Sequence, residues 1–516
     1  MKNFNVSNKI LAALISGSMI LLSATACNKT SPASSEESTK AVQETEESSA
    51  ITSETAFSDK DLEVGYDESD AQTITLTGDS AVSDSSSVKI SGPVITITGK
   101  GTYVITGTLN DGYIVVDAGD SDDVRLVMKN SDITSSDYAA LYCLNADNVY
   151  ITLEEGTSNS LINEGEYDSK DSNKVDGAVF AKTDLTINGS GSLSVTSSAH
   201  GIVGKDDIMI AGGNITVNSE KDGIQANDSV AVQNATIDIT CGKDGIQSDN
   251  DDDPSKSYIY ISSGSITIAA GDDAITTAAS IQIDDGTINI TGSYEGIEGQ
   301  NITINGGKIS IVSSDDAVNA VSDSSGDTMR SDGVSTLTIN GGDICIRSEG
   351  DGIDSNGTFE MTGGVLTVMG PTRGGNGSLD VNGSAVITGG TVVMAGSSDM
   401  ATNFTEASQG TILINTGNQS EGTLITVTDS TGKEIISVTA SCSYQSVLIS
   451  SPEMESGKSY TVTAGNYTDT ITLSDNIYGR GSGFGGFGGG PQGGDPQGGG
   501  FPGGRPDDDR GRQRPG

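Results

Sequence analysis

The chain has 516 residues, with 71 Asp and Glu against 27 Lys and Arg and a formal net charge of −44. That balance excludes nucleic acid and anionic membrane surfaces as electrostatic partners and leaves cations, neutral sugars and basic surfaces open. Hydrophobic residues at 34% can bury a sizeable core, but 69 glycines, 4% aromatics and no Trp suit an elongated β-solenoid better than a conventional globule.

Lys2 and Lys9 precede an apolar stretch, Ile10 to Leu22, too short to span a bilayer with ease and followed by Ser23-Ala24-Thr25-Ala26-Cys27. This predicts a signal peptide over 1–27. Small residues running up to a Cys resemble a bacterial lipoprotein cleavage site, with Cys27 as the lipidated residue, although Ala24 stands where Leu is usual. The expected location is the extracellular face of the cell membrane. Residues 28–58 are rich in Ser, Thr and Glu and are predicted to form a disordered, charged tether.

From 59 to 177 the strands are irregular (Gln72 to Gly78, Val94 to Gly99, Tyr103 to Leu109, Tyr113 to Val116, Val124 to Met128, Val149 to Leu153) and read as an N-terminal cap and first coils. Over 178–409 a unit of about 22 residues recurs, each copy ending in an acid, a small residue and an aliphatic. The acids are Asp222, Asp244, Asp273, Glu295, Asp316 and Asp351, with His200 in the same slot one copy earlier; the successive intervals are 22, 22, 29, 22, 21 and 35 residues. The copy Thr336 to Asp354 reads TLTINGGDICIRSEGDGID: two short alternating strands flank Asn340-Gly341-Gly342, and a bend leads to Asp351-Gly352-Ile353. Three short strands per copy make one turn of a coil, and stacked coils align their aliphatics in columns about 4.8 Å apart. The two long intervals are loops inserted at one corner, Ser248 to Lys256 and Ser322 to Gly333. A propeller needs about 40 residues per blade. The expected fold is therefore all-β, a right-handed parallel β-helix with a small antiparallel β cap over 410–477 and a disordered Gly-rich tail over 478–516.

Carboxylates stacked about 4.8 Å apart repel, by roughly 1 kcal/mol in water and several at lower effective dielectric, so a ladder of them calls for a counter-ion. Calcium suits it, since it takes 6 to 8 hard oxygens in flexible geometry, whereas the soft metals lack their ligands in a chain whose one His is His200. The bland alternative is Asp-Gly turn chemistry. Against it, Asp273-Ala274 and Asp316-Ala317 keep the acid without the Gly, and Glu295 keeps the charge without the Asp. Asp272, Asp315 and Asp354 supply further oxygens at neighbouring slots, as do Gln225, Gln247, Glu298 and Asn319. Candidate metal ligands are thus Asp222, Asp244, Asp272, Asp273, Glu295, Asp315, Asp316, Asp351 and Asp354. Lys221 and Lys243 at the same corner, and Tyr294, are candidate sugar contacts; their bland reading is a solvated ion-pair fringe and strand packing. Cys143, Cys241, Cys345 and Cys442 lie far apart with no CxxC spacing and read as unpaired.

The coils with TINGG, the acid-Gly-Ile slots, the lipoprotein start, the stretch Ser451 to Tyr460 (SPEMESGKSY) and the Gly-rich tail together resemble carbohydrate-binding-domain-containing β-helix proteins of clostridia-like bacteria, similar in fold to polysaccharide lyases. The resemblance covers roughly Leu62 to Asn476. It implies calcium held by stacked acids and binding to cellulose-like or pectin-like polymers without established catalysis; His200 in an acid slot departs from the pattern. Two functions follow: a surface-tethered, monomeric, calcium-dependent polysaccharide-binding protein, or a pectate-type lyase using calcium-assisted β-elimination with Lys221, Lys243 or Arg330 as base. An adhesin for another protein is a weaker third.

Overall fold

The structure, a computed structural model, describes residues 51–167, 172–250, 252–322 and 331–479. The signal segment with Cys27, most of the tether, Arg330 and the Gly-rich tail from 480 lie outside the described residues.

The chain is all-β. Its main body is a stack of coils, and one coil illustrates the rest: Ser229–Val232, a turn, Thr236–Cys241, a bend, then Ile246–Ser248. Each strand pairs in parallel with its counterpart one coil on, as Val230↔Ile259, Ile237↔Ile266 and Ile246↔Ile275 do. Three parallel ladders result, here called first, second and third in chain order within a coil. The first two join at the twelve-residue strand Val124–Ser135, which continues into Asn148–Leu153 at one end and Ser158–Asn163 at the other.

The turn between first and second ladders explains the Gly-Gly of the repeat. Its last glycine takes a left-handed φ, 93° at Gly342, and a Cβ there would stand 3.0 Å from the Gly306 and Gly307 carbonyl oxygens of the coil below. The inward residues are mostly Ile. Ile224, Ile246, Ile275, Ile297, Val318 and Ile353 form one column in register, all fully buried. Each contributes about 1.5–3 kcal/mol by leaving water, realised only because a neighbouring coil covers it.

Both ends of the stack are covered. Gln72–Gly78 pairs antiparallel with Ala81–Val82, and Val88–Ser91 with Val94–Ile97. At the other end Tyr444–Ser451 pairs antiparallel with Thr391–Gly396, beside a four-stranded antiparallel sheet ordered Glu434–Thr439, Leu424–Asp429, Ser459–Ala464, Tyr467–Thr472. Paired or crossed edges do not offer open backbone groups to another chain.

One boundary needs correction. Residues 51–58, expected within a disordered tether, pack as a strap across the outer face of the first ladder. Ile51 exchanges two hydrogen bonds with the Gln282 side chain (3.1 and 2.7 Å), a short helix Ser53–Ala56 follows, and Phe57 is buried against Met209, Ala231 and Tyr260. Further along, Thr186 and Asn188 bind Asp61, and the Arg125 guanidinium reaches the Glu63 carbonyl. Local composition misleads here because the apolar partners of Ile51 and Phe57 lie well over a hundred residues away in the coils. The four described cysteines are free, Cys345 exposed and the others buried.

Candidate metal centre

The repeated acids stand at the corner between second and third ladders. Each lies where a bend releases the chain into the next strand, and the small residue after it donates its N–H to the carbonyl of the acid one coil on: Gly223 to Asp244 at 2.8 Å, Gly245 to Asp273 at 2.9 Å, Ala317 to Asp351 at 2.9 Å. The side chains form a second ladder. Asp222 Oδ1 accepts the N–H of Asp244 (3.2 Å), Asp244 that of Asp273 (3.0 Å), Asp273 that of Glu295 (3.1 Å) and Asp316 that of Asp351 (2.6 Å). This supplies a reason for the acid that sequence reasoning missed: one carboxylate oxygen stitches consecutive coils, whether or not Gly follows. Retention of Asp273 and Asp316 before Ala is thereby explained without an ion.

Carboxylate oxygens also converge. Asp244, Asp272 and Asp273 place one carboxylate oxygen each within 4.8 Å of one another; so do Asp273, Glu295 and Glu298, and Asp316, Asp351 and Asp354. A calcium ion bound at about 2.3–2.6 Å holds opposed ligands up to about 5 Å apart, so each trio fits around one such ion. Asn319 stands between the second and third trios. Its Nδ2 donates to Glu295 Oε2 at 2.9 Å, while its Oδ1 is buried without a protein partner. A hard-oxygen set with a spare neutral oxygen suits a hard divalent cation.

Burial, reinforced by neighbouring like charges, disfavours ionisation here. Burial and then Asp222 push Asp244 up to about 7; burial and then Glu298 push Asp273 up to about 8. Burial and the hydrogen bond from Glu298 push Glu295 up to about 11. Burial raises Asp316 to about 6, Asp351 to about 7 and, with the Asp316 charge, Asp354 to about 8. Asp273, Glu295 and Asp354 in this state retain protons near neutrality unless a cation replaces them.

Two predicted ligands stand apart from the trios. Asp222 meets His200, with Oδ2 2.8 Å from Nδ1, and His200 Nε2 lies 3.7 Å from Asp176. Asp315 hydrogen-bonds Tyr294, pushing that phenol up to about 12. Among the sugar-contact candidates Tyr294 is 43% exposed and Lys221 is exposed. Lys243 Nζ sits 3.3 Å from Asp272, whose hydrogen bond and charge raise the ammonium's pKa. Glu298 joins a trio although only its spacing, three after Glu295, hinted at it. A further trio, Asp184, Asp206 and Asp207, lies outside the acid-small-aliphatic pattern, although Asp184, Asp206 and Asp228 follow one another at intervals of 22 residues, a signal that sequence reasoning passed over.

A groove borders the trios on the outer face of the third ladder, lined by Gln247, Ser248, Thr276, Thr277, Glu298 and Val321. Its floor is the column Gln247↔Thr276↔Glu298, and it lies beside both inserted loops. Residues 91–333 match the family described as carbohydrate-binding domain-containing protein. A protein of that description from Acetivibrio thermocellus is 35% identical over 121 residues, 23% of this chain and 42% of the relative. The chain thus spans less than half the length of that curated relative. A solved structure, a polysaccharide lyase-like protein from C. thermocellum in a gadolinium derivative, is 33% identical, covering 46% of this chain and 92% of its own at a TM-score of 0.41.

Proposed function

We propose that this protein is a calcium-dependent, non-catalytic carbohydrate-binding protein of the cell surface, anchored by lipid on Cys27, monomeric, and directed to plant-type polysaccharides, cellulose-like or pectin-like. The observation that carries the calcium is the set of half-buried carboxylate trios, with Asp273 and Asp354 among the members whose pKa is raised, beside the partnerless Asn319 oxygen. The carbohydrate reading is supported by the family match over 91–333. Asp244, Asp272 and Asp273, then Glu295 with Glu298, then Asp316, Asp351 and Asp354 would hold the ions, and an ion there would supply positive charge at the groove edge. The coil is read as right-handed, the hand taken by about 98% of parallel crossovers.

The lyase alternative needs a neutral base beside the ion. Lys243 is held protonated by Asp272, which favours binding over elimination. Pull-down on insoluble cellulose and on pectin, with calcium or chelator, tests the proposal: chelator-sensitive retention is expected, and retention on no glycan would overturn it. Unsaturated-product absorbance from polygalacturonate with calcium, abolished in Lys243→Ala, would establish the lyase instead. Release of a Cys27→Ser variant from the membrane fraction checks the anchor.

A further inference from the structure

The outer face of the second ladder carries balanced charge on a strongly acidic molecule. Eight strands, Ser192–Ser197 through Val365–Met369, stack in parallel with one register shift, at Ile268/Ala269. Their alternate residues point outward, the middle column running Ser194, Thr216, Asp238, Thr267, Asn289, Ser310. Cys345 continues it and is exposed. The charged residues in these strands are Asp238, Lys308, Asp343 and Arg347, two acids against two bases, so the face is neutral on a chain of net charge −44. The strands contain no aromatic residue.

We infer that this face is a docking lattice for an uncharged, extended polysaccharide lying along the stack, one sugar to a rung. The inference rests on the carbohydrate-binding reading and adds to it the face and the charge class of the polymer. Rungs about 4.8 Å apart make eight strands roughly 34 Å long, and outward columns stand about 6.6 Å from one another along each strand. Ser and Thr hydroxyls and Asn amides both donate and accept, matching sugar hydroxyls that do the same. A neutral polymer meets no repulsion there, and weak contacts repeated rung by rung add into useful avidity. A protein partner would call for central aromatic anchors, which these strands lack. The acid-rich third ladder is a different surface, suited to cations.

The test uses the full chain and microcrystalline cellulose, with xylan and pectate as further polymers. Thr267→Glu/Asn289→Glu places two charges on the lattice; Thr336→Glu/Thr358→Glu places two on exposed first-ladder positions. The first variant is expected to bind cellulose at least about fivefold more weakly and the second within about twofold of the parent, as loss of several summed contacts requires. N-ethylmaleimide should alkylate Cys345 more slowly in cellulose-bound than in free protein, read by peptide mass spectrometry; this measurement stands alone if the first variant misfolds. Equal retention of both variants, or unchanged Cys345 alkylation, overturns the assigned face while carbohydrate binding stands. Retention on pectate alone overturns the uncharged class, and retention on no glycan removes the carbohydrate reading as well.

Discussion

Replacing Asp351 by Asn should change stability in opposite directions with and without calcium. The amide keeps an oxygen to accept the Gly377 N–H, so the stitch between coils survives while the charge is removed. Without metal at pH 8.5, Asp351 is ionised against a pKa pushed up to about 7 by burial. Relative to an unfolded carboxyl near 3.9, that is about three factors of ten in the proton equilibrium, or roughly 4 kcal/mol of strain held in the folded state. Asp354 is raised partly by Asp351, so the two titrate together and the net gain should fall at about 2–4 kcal/mol. Differential scanning fluorimetry in EDTA should therefore show Asp351→Asn melting a few degrees above the parent. In saturating calcium the order should invert, because the variant loses a charged ligand, and terbium titration should show its affinity lowered at least about tenfold. A variant that melts below the parent in EDTA at pH 8.5 would refute the claim that repulsion among buried carboxylates is what an ion relieves.

The same groups set a pH dependence. Asp273, raised to about 8 when folded, binds a proton that the unfolded chain has released above about pH 4, so stability in chelator should be greatest in acid and fall as pH rises from about 4 through 8. Saturating calcium should flatten the melting profile over that range. Ile297→Ala empties part of a fully buried column and should cost about 2–5 kcal/mol in urea unfolding. Phe57→Ala should release the strap, raising protease cleavage within 51–58 while the denaturation midpoint of the coils changes little, since Phe57 packs on their outside.

The parallel coil was legible because its grammar is local and repeated. Gly341-Gly342 answers a turn that needs a left-handed residue, and Ile344 and Ile346 alternate because a strand has period two. The cysteines were legible too, since their wide spacing offered no pairing. What the corner acids do was not. Sequence reasoning took Asp273 before Ala as evidence for an ion, whereas the Glu295 N–H on Asp273 Oδ1 accounts for the residue by itself. Only partial burial and the convergence of carboxylate oxygens restore the case for a cation, and both are properties of stacked coils.

The chain by itself therefore determined the repeat, the coil and the corner on which the acids lie, because each is set by turn chemistry and alternation within about 22 residues. Tertiary structure decided which acids meet. It gave Asp222 to His200 and Asp315 to Tyr294, brought Glu298 beside Glu295, and laid Phe57 across coils that begin far downstream. The reason is physical: contacts between coils depend on side-chain direction and on how inserted loops shift the count, and neither is written in the spacing of the residues.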